Sequence, residues 1–379
     1  MKNLIFALGL LGWIAPPLAA QSIPELPFEA IADPLQLPED IHFGEIAGIA
    51  VNSKGHVFVF SRGNSVGPAY MASAAQLLEF DASGNFVREI GKNLHAWSYA
   101  HAVRVDPQDN IWVVDKGSNM ILRFNPTGRV DWVFGRKAEA SHLAVPPDYV
   151  TVMARMLRTM GVEMDNQQNL NPRSPLPVHR DNEFNQPTDV AWDSEGNTYF
   201  SDGYINSRVG KVNARGEWVA SWGSVGSGPG QFDTPHGIAV SPDNEIYVAD
   251  RGNRRIQIFD QSGNYLREFT VDVPVDHSRP HPPYGPGGPE ITQGTMAPGA
   301  PDAMCMTPGP NPVLFIGDLY PGSIYKVNLE GEVLGVYGVA GRNLGEFGWI
   351  HAIACPSEDE IWIGELTTWR VQKLVTRRE

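Results

Sequence analysis

Three histidines stand at one position of three similar stretches: His101 in "YAHAVRV", His236 in "TPHGIAV" and His351 in "WIHAIAC". Strand formation has no use for a histidine there, since such positions favour β-branched and aromatic residues. A neutral imidazole offers one ring nitrogen to a metal. Three of them aimed at one point are the ligand set of a catalytic zinc, with a fourth position left for water or substrate. One such histidine alone reads as a hydrogen-bonded core residue; the set of three is what points to a metal. Two cations and a phenol accompany them. Arg62 follows an alternating strand in "FVFSRGN", and Arg251 holds the like place in "YVADRGN". Lys116 and Gly203 hold it elsewhere, and Tyr204 follows at once in "FSDGYINSR". Paired guanidiniums can clamp a carboxylate. A phenol whose pKa is lowered by a metal and by cations can serve as general base. His56, His95, His142, His179, His277 and His281 show no comparable order and read as surface or loop residues.

The elements that must position these groups come from a repeat. "HAVRVDPQDNIWVVD", "TDVAWDSEGNTYFSD", "HGIAVSPDNEIYVAD", "DAMCMTPGPNPVLFIGD" and "HAIACPSEDEIWIGE" each give an apolar strand, an Asp/Asn/Gly turn and a second strand. Two further strands follow in each full unit, and a sixth unit begins at "AGIAVNSKGHVFVFSRG". Short strands in fours, recurring roughly every 40–50 residues, predict an all-β, six-bladed β-propeller. The last unit stops near Leu374 without its fourth strand, and "LPFEAIAD" (Leu26 to Asp33) is expected to supply it and close the ring. Closure removes the edge that would otherwise invite pairing. His101, His236 and His351 then fall on alternate blades, with Ala47, Thr188 and Asp302 at the same place in the others. Alternate blades of six lie a third of a turn apart, so the three rings are expected to converge on the axis.

The same repeat identifies scaffold. Asp115, Asp202, Asp250, Asp318 and Glu365 all close a second strand and read as turn-capping carboxylates. Trp112, Tyr199, Tyr247, Phe315 and Trp362 recur as core packing. Residues 21–379 are expected to form one propeller domain, with insertions at about 137–183 and 271–299 over its face. Within the first, "PDYVTVMARMLRTMG" has helical spacing. The opening "MKNLIFALGLLGWIAPPLAA" reads as a signal peptide over residues 1–20, too short an apolar run to span a bilayer. The mature chain is expected to be exported, periplasmic or secreted, without membrane insertion. With 29 Lys+Arg against 43 Asp+Glu, the net charge is −14, and the sequence has no Lys/Arg cluster to make the basic face a nucleic-acid binder needs. Cys305 and Cys355, in neighbouring units, are free to pair or not in an oxidising compartment.

The stretches "FNQPTDVAWDSEGNTYFSDGYINSRV", "GQFDTPHGIAV", "VADRGNRRIQIF" and "AHAVRVDPQDNIWVVD" resemble the peptidyl-α-hydroxyglycine α-amidating lyases, six-bladed propellers of the NHL-repeat class. The resemblance extends over most of residues 40–375, and "SDGY-NSR" is its distinctive part. It implies His101, His236 and His351 as zinc ligands, Tyr204 as catalytic tyrosine and Arg62 and Arg251 as its arginines. It further implies cleavage of a peptidyl- or N-acyl-α-hydroxyglycine to an amide and glyoxylate. Any monooxygenase that supplied the hydroxyglycine would be a separate chain. Three positions depart from the family: Trp349 replaces a methionine two residues before the third histidine, Ile205 replaces a disulfide cysteine, and Ala352 replaces an aspartate that helps hold a structural calcium. Two other readings stay open: a metal-dependent hydrolase or lactonase on a related propeller, and a non-catalytic propeller binding peptide or glycan. The hydrolases use carboxylate and Asn ligands for calcium, unlike a three-histidine set.

Overall fold

In the computed structural model, residues 23–63, 75–137, 180–275, 294–295 and 297–377 are described. The expected signal peptide lies outside them, as do the helical stretch and nearly all of the first insertion and most of the second. Six four-stranded antiparallel sheets follow one another along the chain, each a blade. Their first strands are Glu45–Val51, Ala100–Val105, Asp189–Trp192, Pro235–Val240, Ala303–Met306 and Ile350–Ser357. These strands pack against their counterparts in the neighbouring blades around the axis. Inner strands are almost wholly buried, whereas outer strands such as Trp218–Trp222 and Tyr265–Phe269 alternate half-buried and exposed positions. That gradient follows from composition. Ile, Val and Ala fill the inner strands, and on the outer strands aromatics such as Trp218, Trp222, Tyr265 and Phe269 turn inward while their neighbours face out.

The ring closes as expected: Phe28–Ile31 pairs antiparallel with Val371–Thr376, from Phe28↔Thr376 to Ile31↔Lys373. Blade six is thus completed by the chain's other end. The backbone N–H of Leu26 also donates to the Val336 carbonyl of blade five at 2.8 Å. Between blades the core is aromatic. Trp112, Phe134, Phe184 and Phe200 are buried together, and Trp112, Tyr199, Tyr247, Phe315 and Trp362 are all buried core residues.

The five repeat carboxylates cap the loop before the first strand of blades two to six. Asp115 accepts from the Ser98 and Tyr99 N–H groups, Asp202 from Asn185, Asp250 from Asp233, Asp318 from Gly299 and Glu365 from Gly348. All five are fully buried. In blades three, four and six an arginine pairs with the cap: Arg208–Asp202, Arg255–Asp250 and Arg370–Glu365. Cys305 and Cys355 form a disulfide between the first strands of blades five and six, with Cα atoms 6.0 Å apart. The bond the sequence left open therefore staples the blade that the N-terminal strand closes.

Candidate metal and active site

His101, His236 and His351 enter the axis from the first strands of blades two, four and six. Their rings pack edge to face with centroids 4.8, 4.8 and 5.1 Å apart. One ligand nitrogen from each falls within 4.8 Å of the others, a group able to hold a metal ion. Each Nδ1 makes an equivalent hydrogen bond to a blade without a histidine. His101 Nδ1 bonds the Thr188 carbonyl at 2.7 Å, His236 that of Asp302 at 2.5 Å, and His351 that of Ala47 at 2.9 Å. A carbonyl only accepts, so Nδ1 carries the proton and Nε2 presents its lone pair to the axis. The three blades lacking histidine thereby fix the tautomer of the three that have one.

Burial, reinforced by the neighbouring rings and by Lys116, Arg62 and Arg251, holds all three imidazoles well below the ordinary histidine value. They are neutral at neutral pH, as metal ligands must be. His351 Nε2 is buried with no hydrogen-bond partner among the described residues. A buried acceptor left without a partner is costly unless something else satisfies it. The donor set therefore fits a metal.

Tyr204 completes the group. Its phenol oxygen lies 3.2 Å from His101 Nε2 and 3.2 Å from His236 Nε2. Gly203 makes this delivery feasible, because a Cβ there would run into the Pro235 carbonyl. The Lys116 ammonium sits 3.5 Å from the centre of the Tyr204 ring, a contact the residue order alone did not reveal.

The two arginines differ. Arg251 is buried and its Nε lies 3.0 Å from Asp302 Oδ1. Asp302 also accepts from the Trp349 indole N–H and lies 3.5 Å from His236 Nδ1. Burial pushes the Asp302 carboxyl up, against the pull of Arg251 and Trp349. Trp349, the replacement for the family's methionine, is thus tied into the same network. Arg62 is paired at 2.6 Å with Glu45, whose side chain is 38% exposed. Its Nε donates to the Ala100 carbonyl and its guanidinium covers the Tyr99 ring at 3.9 Å. One cation faces a buried carboxylate at ion-pair distance without an aligned hydrogen bond, and the other is hydrogen-bonded to a solvent-facing one. A signal for the buried pair was present: Asp302 is the only ionisable residue among the three partners of the histidines.

Residues 232–259 match the NHL repeat, the stretch that runs through His236 and Arg251. The peptidyl-glycine alpha-amidating monooxygenase of Mus musculus is 26% identical over 361 residues, covering 89% of this chain and 31% of that protein. The peptidyl-alpha-hydroxyglycine alpha-amidating lyase 1 of Drosophila melanogaster is 22% identical over 366 residues, covering 89% of this chain and 58% of that one. The chain thus spans about a third of the monooxygenase and under two thirds of the lyase. Among solved structures, a streptogramin B lyase superposes with a TM-score of 0.52 at 15% identity, over 92% of this chain and 98% of that one, a likeness of fold. With its repeat, its closed ring and these relatives, the chain is a six-bladed NHL-repeat propeller related to the peptidyl-α-hydroxyglycine α-amidating lyases.

Proposed function

We propose that this chain is a zinc-dependent lyase that splits an N-acyl- or peptidyl-α-hydroxyglycine into an amide and glyoxylate. One observation carries the reading. A phenol oxygen stands 3.2 Å from two buried imidazole nitrogens while the third nitrogen has no partner among the described residues. That is a base set beside a three-nitrogen metal site. His101, His236 and His351 would hold the zinc, which when bound supplies a Lewis acid that lowers the pKa of an oxygen on it.

The chain's own groups do the rest. Tyr204 takes the proton of the substrate hydroxyl through its phenol oxygen. The Cα–O bond becomes a carbonyl as the N–Cα bond breaks, and the same proton goes to the departing amide nitrogen. No electrons leave the substrate, so no redox partner is needed. Lys116 over the Tyr204 ring adds a positive charge beside the phenol. Arg62, with a partner that water can also solvate, is placed to exchange Glu45 for the substrate carboxylate. Arg251, held by Asp302, fixes the wall beside His236 and adds positive potential. The N-terminal sequence and the Cys305–Cys355 bond support an exported protein.

The test is metal analysis of the purified protein alongside glyoxylate release from α-hydroxyhippurate. Stoichiometric zinc with glyoxylate release is expected. Zinc-loaded protein that releases none removes the substrate assignment. Tyr204→Phe should lower turnover by roughly 10²–10⁴-fold with zinc still bound; undiminished turnover would dismiss the phenol as base.

A further inference from the structure

Below the histidines the axial cavity is lined by a second set of groups, which includes Arg104, Asp189, Met304, Ile353 and Ala352. Arg104 comes from the first strand of blade two and crosses the axis. Its Nε donates to Asp189 Oδ1 at 2.8 Å and its Nη2 to Asp189 Oδ2 at 2.6 Å, a bidentate pair with blade three. The same Nη2 donates to the Met304 carbonyl of blade five at 3.0 Å, and Nη1 to the Ile353 carbonyl of blade six at 3.1 Å. Asp189 in turn receives the Ile238 N–H of blade four at 3.3 Å. One ion pair therefore touches five of the six blades at their convergence.

The oxygens around this guanidinium are a carboxylate and two backbone carbonyls, the hard donors that a calcium ion takes. The family's calcium calls on an aspartate at position 352. Here that position is an alanine facing the same cavity, and the cavity's oxygens already accept from Arg104. The residues present do not fit a calcium. We propose that Arg104 is a built-in cation that occupies the axial cation position of this propeller, making the ring independent of calcium. A planar guanidinium suits the place, since its fork reaches donors on several blades at once. Burial works against the charge of Arg104, but the facing Asp189 outweighs it and holds its pKa above the ordinary value. Two breaks in the repeat mark the substitution. Asp189 stands where the other blades have Gly48, Ala102, Gly237, Ala303 and Ala352. Arg104 stands where they have Ala50, Ala191, Ala239, Cys305 and Ala354.

Melting experiments read this without any substrate. Calcium added to the native, zinc-loaded protein should neither shift Tm nor be retained through gel filtration. Arg104→Ala should lower Tm on the order of 5–10 °C by stranding Asp189. Millimolar calcium should recover much of that loss, and adding Asp189→Asn to the variant should abolish the recovery. Arg104→Lys, which keeps the charge but offers a single nitrogen, should melt between the two and stay indifferent to calcium. It covers the case in which Arg104→Ala does not fold. A native chain that retains one calcium ion, an Arg104→Ala chain as stable as the native or unresponsive to calcium, or an Arg104→Lys chain with native Tm would each overturn the assignment.

Discussion

Two sets of polar side chains recur around this propeller with different symmetries. The capping carboxylates Asp115, Asp202, Asp250, Asp318 and Glu365 appear blade after blade and satisfy the backbone of their own blade. The histidines appear in every second blade, and each takes its orienting hydrogen bond from a blade that lacks one. A residue that serves its own blade can be repeated by duplication alone. A residue that serves the axis cannot, because six equivalent imidazoles would crowd one point. The departure from strict repetition is thus the structural condition for a metal-binding axis.

Removing a member of the histidine set should have the largest effect on function. His351→Ala deletes the ring whose Nε2 has no hydrogen-bond partner among the described residues. The protein should lose bound metal, and with it several kcal/mol of charge stabilisation, about a thousandfold in turnover. Metal content by elemental analysis and glyoxylate release measure both. Retained stoichiometric metal would show that the three rings do not act as one site. The converse substitution acts on the other set. Glu365→Ala strands Arg370 and the Gly348 N–H at a fully buried position. Since the Arg370 side chain is 27% exposed, the cost is set at about 2–3 kcal/mol, below that of a fully buried pair. Urea unfolding should show that loss, while the folded protein keeps its metal and its turnover per molecule. If Glu365→Ala strips the metal, scaffold and site are not separable.

The same contrast explains what could be read from the residues alone. Strand order, blade number and the closing strand follow from a pattern that each blade repeats, and Phe28–Ile31 pairs where "LPFEAIAD" was expected. The alignment of the histidines needed only the repeat register. Interactions that cross the axis were less legible. Arg104 meets Asp189, Met304 and Ile353 at separations of 85, 200 and 249 residues, and no local pattern links them. Lys116 over Tyr204 and Asp302 against Arg251 likewise depend on how far side chains reach from different blades. In each case the repeat marked an irregular residue without naming its partner.

The smallest predicted effect distinguishes members within the capping set. Asp318 has no arginine partner among the described residues. It is held by the N–H groups of Gly299, Gly322 and Ser323 and by the Tyr325 hydroxyl at 2.7 Å. Burial pushes its carboxyl up to about 6 against these bonds. The unfolded chain titrates near about 3.9, so between those values the folded state binds the proton more tightly. The stabilisation this gives is fully present below about pH 4 and is lost as pH rises through about 6. Other carboxylates run the opposite way: Arg267 holds Glu245 low, and backbone N–H groups hold Glu346 low. The native curve alone therefore mixes signs, and the difference from Asp318→Asn isolates this group. That variant keeps an acceptor and does not titrate. It should gain on the native protein by up to roughly 2 kcal/mol as pH rises from 4 to 7. Paired urea titrations across that range would show it. A difference independent of pH would mean the backbone N–H groups fully offset the burial of this carboxylate, and the cap would then need no arginine in any blade.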